Sequence, residues 1–106
     1  MINVEDYLST EVFKSRQKIA EETGLSERSV RKKISDLKLI RPVIYNSQTK
    51  GYRLARKIES IPVQELQQEI DLVSHCINDI QARKNVFNKQ LRTYIAYLKS
   101  IEKFLV

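Results

Sequence analysis

The sequence predicts a mainly α protein in two parts. A small N-terminal domain of three helices and a two-stranded β hairpin is followed by a long C-terminal helix. Three observations lead there. Only two Gly and two Pro occur in 106 residues, too few for a loop-rich or all-β chain, whose turns draw on both. Apolar residues make up 42% of the chain, enough for a modest core, and much of the first half shows them at helical spacing. After Pro62 come 44 residues with neither Gly nor Pro.

Each element has its own reason. The start, "MINVEDYL", predicts a short first helix over residues 1–8, with Ile2, Tyr7 and Leu8 turned inward. Val12 and Phe13 follow as an extended connection. Ser15 is placed to N-cap a second helix over residues 16–23, because its hydroxyl takes a backbone N–H that the first turn leaves unpaired. Ile19 and Ala20 face inward there. Gly24 falls where the helix must end in a left-handed conformation, which glycine adopts at least cost. Ser26 is a second N-cap, opening a third helix that runs to about Leu39, with Val30, Ile34 and Leu37 as its inner stripe. Pro42 ends that pattern. "VIY" and "YRLA" are β-type segments separated by "NSQTKG", which predicts a hairpin. The domain spans residues 1–57, with 58–62 as a linker.

Charge narrows the function. The formal net charge is +6 and the pI is near 9.6, which points to a polyanion, nucleic acid before an anionic membrane surface. Residues 28–57 hold ten Lys and Arg against one acid, Asp36, and they coincide with the third helix and the hairpin. On the third helix the inner stripe leaves Glu27, Arg28, Ser29, Arg31, Lys32 and Ser35 outside.

Helix, glycine turn, helix and hairpin occur in that order in "IAEETGLSERSVRKKISDL" and "KGYRL". Residues 15–54 resemble the winged helix-turn-helix domains of bacterial and phage DNA-binding proteins. The nearest type is the N-terminal domain of biotin operon repressors and DeoR-like regulators, and the likeness covers about the first 57 residues. It implies a third helix that enters the major groove of double-stranded DNA N-terminal end first. Arg28, Ser29 and Lys32 would then face base edges, with Arg31 and Ser35 on the same outer surface. Ser26 and its neighbouring N–H groups would take a phosphate. Lys33 and Lys38 would contact the backbone or stay solvated, Lys50 and Arg53 would follow phosphates or a minor groove from the wing, and Tyr52 would pack on the helices. In those families an effector-binding or catalytic domain follows the wing; here the Gly- and Pro-free segment stands in its place.

That segment reads as a coiled-coil seam. Leu66, Ile70, Val73, Ile77, Ile80, Lys84, Phe87, Leu91, Tyr94, Leu98, Ile101 and Leu105 follow steps of three and four without a slip, and Lys84 alone is not apolar. One helix of this length would extend about 66 Å and would need a partner helix. Residues 63–82 carry four acids and no base, whereas residues 83–106 carry six bases and one acid, which favours antiparallel pairing. Two chains crossing near Lys84, or one chain turning back within "ARKNVFN", both satisfy this. The unbroken register favours the first, an antiparallel homodimer.

The remaining chemistry is sparse. Cys76 is the sole cysteine, so no internal disulfide forms, which fits a reducing cytosol. It reads as a small packing residue, and His75 as exposed. One His beside one Cys does not make a metal site. No phosphate-binding Gly loop, carboxylate pair or activated nucleophile is evident, so an enzyme is not expected, nor a cofactor, a small-molecule effector or a membrane span. The expected protein is a cytoplasmic, oligomeric, sequence-specific DNA-binding protein, most simply a small transcriptional regulator. Two rivals share these features: a phage or plasmid origin-binding or replication accessory protein, and a protein-interaction module on the same fold.

Overall fold

The computed structural model of the chain describes residues 2–82 and 88–105, and within these the side chain of Asn88 is left aside. It divides into two units, Met1–Ala55 and Arg56–Val106.

The first unit opens with a single 3-10 turn, Val4–Tyr7, where a short α-helix was expected. Asn3 caps it by accepting from Glu5 N at 3.0 Å. The turn stops at Leu8, whose backbone is extended, and the Ser9 hydroxyl then takes the N–H groups of Glu11 and Val12. Val4 and Leu8 are the buried residues, rather than Ile2 and Tyr7. A two-residue strand, β1 (Lys14–Ser15), leads into α1 (Arg16–Thr23) and then α2 (Glu27–Leu37). Both helix starts are capped as the residue chemistry requires: Ser15 Oγ accepts from Lys18 N at 3.0 Å, and Ser26 Oγ from Ser29 N at 3.1 Å. Gly24 has φ 75°, the left-handed end of α1. Thr23 pins this turn from inside. Its buried hydroxyl donates to Ile19 O at 2.8 Å and accepts from Leu25 N at 3.2 Å. Ile19, Val30, Ile34 and Leu37 close on Val4, Leu8, Val43 and Leu54, with Ala20, Leu25 and Tyr52 packed against them.

The expected hairpin is β2 (Val43–Asn46) and β3 (Gly51–Leu54), paired antiparallel from Val43↔Leu54 to Asn46↔Gly51. β1 adds to its other side, giving the order β1-β3-β2. Asn46 Oδ1 accepts from Gln48 N at 2.9 Å and starts the tip, and Lys50, not the glycine, holds the left-handed conformation there (φ 56°). Gly51 serves a different need. A Cβ on it would lie 2.9 Å from Phe13 Cβ and 3.1 Å from Lys14 N, so it is the point where β1 meets β3 backbone to backbone. Gly51→Ala is expected to push β1 aside and cost about 1–3 kcal/mol. Thermal unfolding of the variant checks this, and an unchanged midpoint would mean that β1 does not need the gap.

The second unit corrects two expectations. Residues 58–62 are not a bare linker: a 3-10 turn, Ile58–Ser60, precedes a buried Ile61. The segment expected as one continuous helix is two, α3 (Leu66–Ala82) and α4 (Asn88–Glu102), which pack on one another. Leu66, Ile70, Val73, Ile77, Ile80, Tyr94 and Ile101 are buried within the chain itself, while Leu91 and Leu98 are half-buried and Leu105 is exposed. The seam expected to join two chains is therefore largely a seam within one chain, the turning-back alternative. Phe87 and Lys84 lie outside the described residues. Cys76 is buried and His75 exposed.

A charged centre holds this unit together. Arg56 donates to Glu65 Oε1 and Glu69 Oε1, both at 3.0 Å, and its backbone carbonyl accepts from the Tyr97 hydroxyl at 2.6 Å. The first links reach the start of α3 and the last reaches the C-terminal half of α4, so the two helices run antiparallel. The Glu69 side chain is 1% exposed and that of Arg56 is 12%. Burial works against the guanidinium charge, but the hydrogen bonds and charges of the two carboxylates outweigh it and raise the Arg56 pKa further. Among the described residues, no helix is long and apolar enough to cross a membrane.

Candidate nucleic-acid interface

On α2, Val30, Ile34 and Leu37 are buried, and the residues opposite them define what the helix presents. Arg28, Arg31, Lys32 and Ser35 follow the spacing i, i+3, i+4, i+7, which places them on one side of a helix. Arg28, Arg31 and Lys32 are exposed and Ser35 is half-buried. Neither Arg28 nor Arg31 has an ion-pair partner among the described residues. Lys32 lies 3.9 Å from Asp36 with 79% of its side chain exposed, a pairing weak enough to leave it available. The position of α2 is held at its start as well as by its core, since Arg16 Nε donates to Glu27 Oε1 at 3.1 Å across the turn.

The flanks of α2 behave differently from what spacing suggested. Ser29 is half-buried, and its hydroxyl accepts from Ser26 Oγ at 3.1 Å, so it completes the cap instead of standing clear for a base. Lys33 faces the other way. With Asp36, Leu37 and Ile40 it lines a shallow cavity against Ile2, Asn3, Val4 and Glu5, and it is half-buried there.

Of the two wing cations, Lys50 is exposed at the hairpin tip. Arg53 is not a surface cation at all. It is 4% exposed, its guanidinium lies 4.8 Å from the centre of the Phe13 ring, and Nη1 donates to Leu54 O at 3.2 Å. A cation over an aromatic face is a stable resting place, and it removes Arg53 from any phosphate. Tyr52 packs on the core, with its ring 4.9 Å from that of Tyr45.

Counting bases along the sequence therefore overstates the basic surface. Arg41 pairs with Glu5 at 2.8 Å, Arg53 is buried and Arg56 belongs to the charged centre of the second unit. What remains outward in the first unit is concentrated on α2 and at the hairpin tip. The acids of α1 are partly neutralised. The hydrogen bond from Lys14 to Glu22, 2.6 Å long, holds that carboxyl below its ordinary range, helped by the charges of Lys14 and Lys18. Sequence reasoning missed Thr23, β1 and the burial of Arg53. Thr directly before a turn glycine was the readable signal for the first; the other two depend on partners distant in sequence.

Compared with protein families, with curated proteins and with solved structures, the chain matches none.

Proposed function

We propose that the first unit is a winged helix-turn-helix domain that binds double-stranded DNA sequence-specifically, with α2 as recognition helix, and that the protein is a small transcriptional regulator rather than an enzyme. The observation that carries this is the single outward face of α2, where Arg28, Arg31 and Lys32 stand exposed above a buried apolar stripe. Arg and Lys suit guanine O6 and N7 in the major groove. The first turn of α2 leaves backbone N–H groups that no intrahelical carbonyl takes, and such a helix start suits a phosphate. The β2–β3 hairpin that follows α2 directly supports the winged reading. Much of the C-terminal stripe is buried within the chain, so homodimerisation, which stays part of the reading, would rest on what remains open there: half-buried Leu91 and Leu98 and exposed Leu105.

Selecting bound duplexes from a random pool tests this directly. On the selected site, Arg28→Ala and Lys32→Ala are each expected to cost about 1–3 kcal/mol, more than on random DNA. Lys50→Ala should instead flatten the salt dependence by about one unit on every sequence. Equal losses on selected and random duplexes would reduce α2 to a phosphate contact. No salt-dependent duplex binding at all would sink the reading in favour of a protein-docking domain.

A further inference from the structure

Helix α4 carries a second basic surface. Lys89, Arg92, Ala96 and Lys99 are spaced by three, four and three residues, so they share one side of the helix, and all four are exposed. Lys103, one turn on and just past the helix end, is exposed as well. The buried residues of α4, Gln90, Tyr94 and Ile101, occupy the opposite side. None of the four cations has an ion-pair partner among the described residues. Acids were within the chain's reach: four lie on residues 63–82. Glu65 and Glu69 are committed to Arg56, Asp71 accepts a hydrogen bond from Gln67 at 3.0 Å, and Asp79 and, on α4 itself, Glu102 are exposed without forming an ion pair with the stripe. The fold thus keeps four like charges in a row, which costs self-repulsion unless something anionic arrives.

We propose that this stripe binds the phosphate backbone of duplex DNA without reading its sequence, adding a second contact to that of α2. From Lys89 to Lys99 the helix rises about 15 Å, the axial length of roughly four to five phosphates on one strand at ~3.4 Å each. Ala96 leaves the middle of the stripe low, so the helix can approach a backbone closely. A lipid surface fits less well, because an interfacial helix needs large apolar residues beside its cations to insert; Phe104 and Leu105 are exposed beside Lys103, but they stand past the helix end, and between Lys89 and Lys99 the apolar side of α4 is spent on α3. A second copy of the chain fits less well too, since α3 offers only Asp71 and Asp79 as exposed acids against four cations.

The proposal rests on duplex DNA being the partner, and its test separates the two claims. The full-length chain carrying Lys89→Gln, Arg92→Gln, Lys99→Gln and Lys103→Gln together is titrated with selected and random duplexes across a range of salt. The slope of log affinity against log salt is expected to become shallower by about 0.9 for each phosphate that is no longer neutralised, roughly two to four units in all. Both duplexes should weaken by the same factor, so discrimination between them stays. Changing only the three lysines to Arg should keep the wild-type slope. Because every substituted residue is exposed, the thermal midpoint should hold, which separates weakened binding from a damaged fold. An unchanged slope overturns the stripe, whether or not the same variant loses binding to vesicles rich in anionic lipid or loses a salt-sensitive self-association. If the stripe variant is silent while Arg28→Ala loses discrimination, only the stripe is wrong. If the slope falls while Arg28→Ala and Lys32→Ala do nothing, only the recognition helix is wrong. Absence of duplex binding in the wild-type chain overturns both.

Discussion

Arg56→Met is expected to destabilise the second unit by about 3–5 kcal/mol, the cost of leaving a buried charge without its partner. The Glu69 side chain is 1% exposed, and the Arg56 guanidinium meets it at 3.0 Å. Removing the guanidinium takes from this buried carboxylate the cation that meets it at 3.0 Å, while Met still fills most of the space. Changing both residues, Arg56→Met with Glu69→Met, should recover most of the loss, because the desolvation of both charges disappears together. Glu65 is a useful control. It bonds the same guanidinium but is 41% exposed, so Glu65→Ala should cost less than about 1 kcal/mol. Denaturant unfolding of the wild type, Arg56→Met, Glu69→Met and the double variant forms the cycle, with Glu65→Ala measured beside it. A loss under about 1 kcal/mol for Arg56→Met would show that Glu69 does not depend on it.

Ile19→Ala acts on the first unit with comparable force, about 2–5 kcal/mol. Ile19 is fully buried where α1 meets α2, in the cluster that includes Val30 and Ile34. A unit of this size rarely holds more than about 3–5 kcal/mol in its core, so the truncation removes most of what keeps α2 in place. Duplex binding should fall on every sequence and recover on cooling towards the temperature of maximum stability. Arg28→Ala, by contrast, should weaken the selected site while leaving unfolding unchanged. Ile19→Val, which removes one methylene, should cost only about 0.5–1.5 kcal/mol. Unfolding of the Ile19→Ala chain within about 1 kcal/mol of wild type would place the core elsewhere.

Parts of the fold were legible wherever a single residue carries its own geometric requirement. Ser15, Gly24 and Ser26 set the helix ends from local chemistry alone, and Val30, Ile34 and Leu37 set the inner side of α2. The outward face of α2 followed from the same periodicity. What could not be read depends on partners far along the chain. β1 is a Lys and a Ser, too short to have a period, and it is a strand only because Gly51 lets it approach β3. Arg53 in a hairpin reads as outward, yet Phe13 gives it a face to lie on. The apolar stripe kept its phase across residues 83–87, so the spacing was equally compatible with one helix or with two folded together. Charge counting failed at Arg41, Arg53 and Arg56 for a related reason: a formal charge does not record which carboxylate or ring receives it.

The folding back of α3 and α4 also bears on how the protein responds to its own abundance. An obligate homodimer gains its core by mass action, so its stability falls as the protein is diluted. Here most of the apolar stripe is met by residues of the same chain, so burying it does not by itself require a second copy. If the first unit reads DNA as proposed and the chain binds as a single copy, occupancy of one site rises in proportion to free protein from the lowest levels, without the quadratic threshold that assembly before binding would impose.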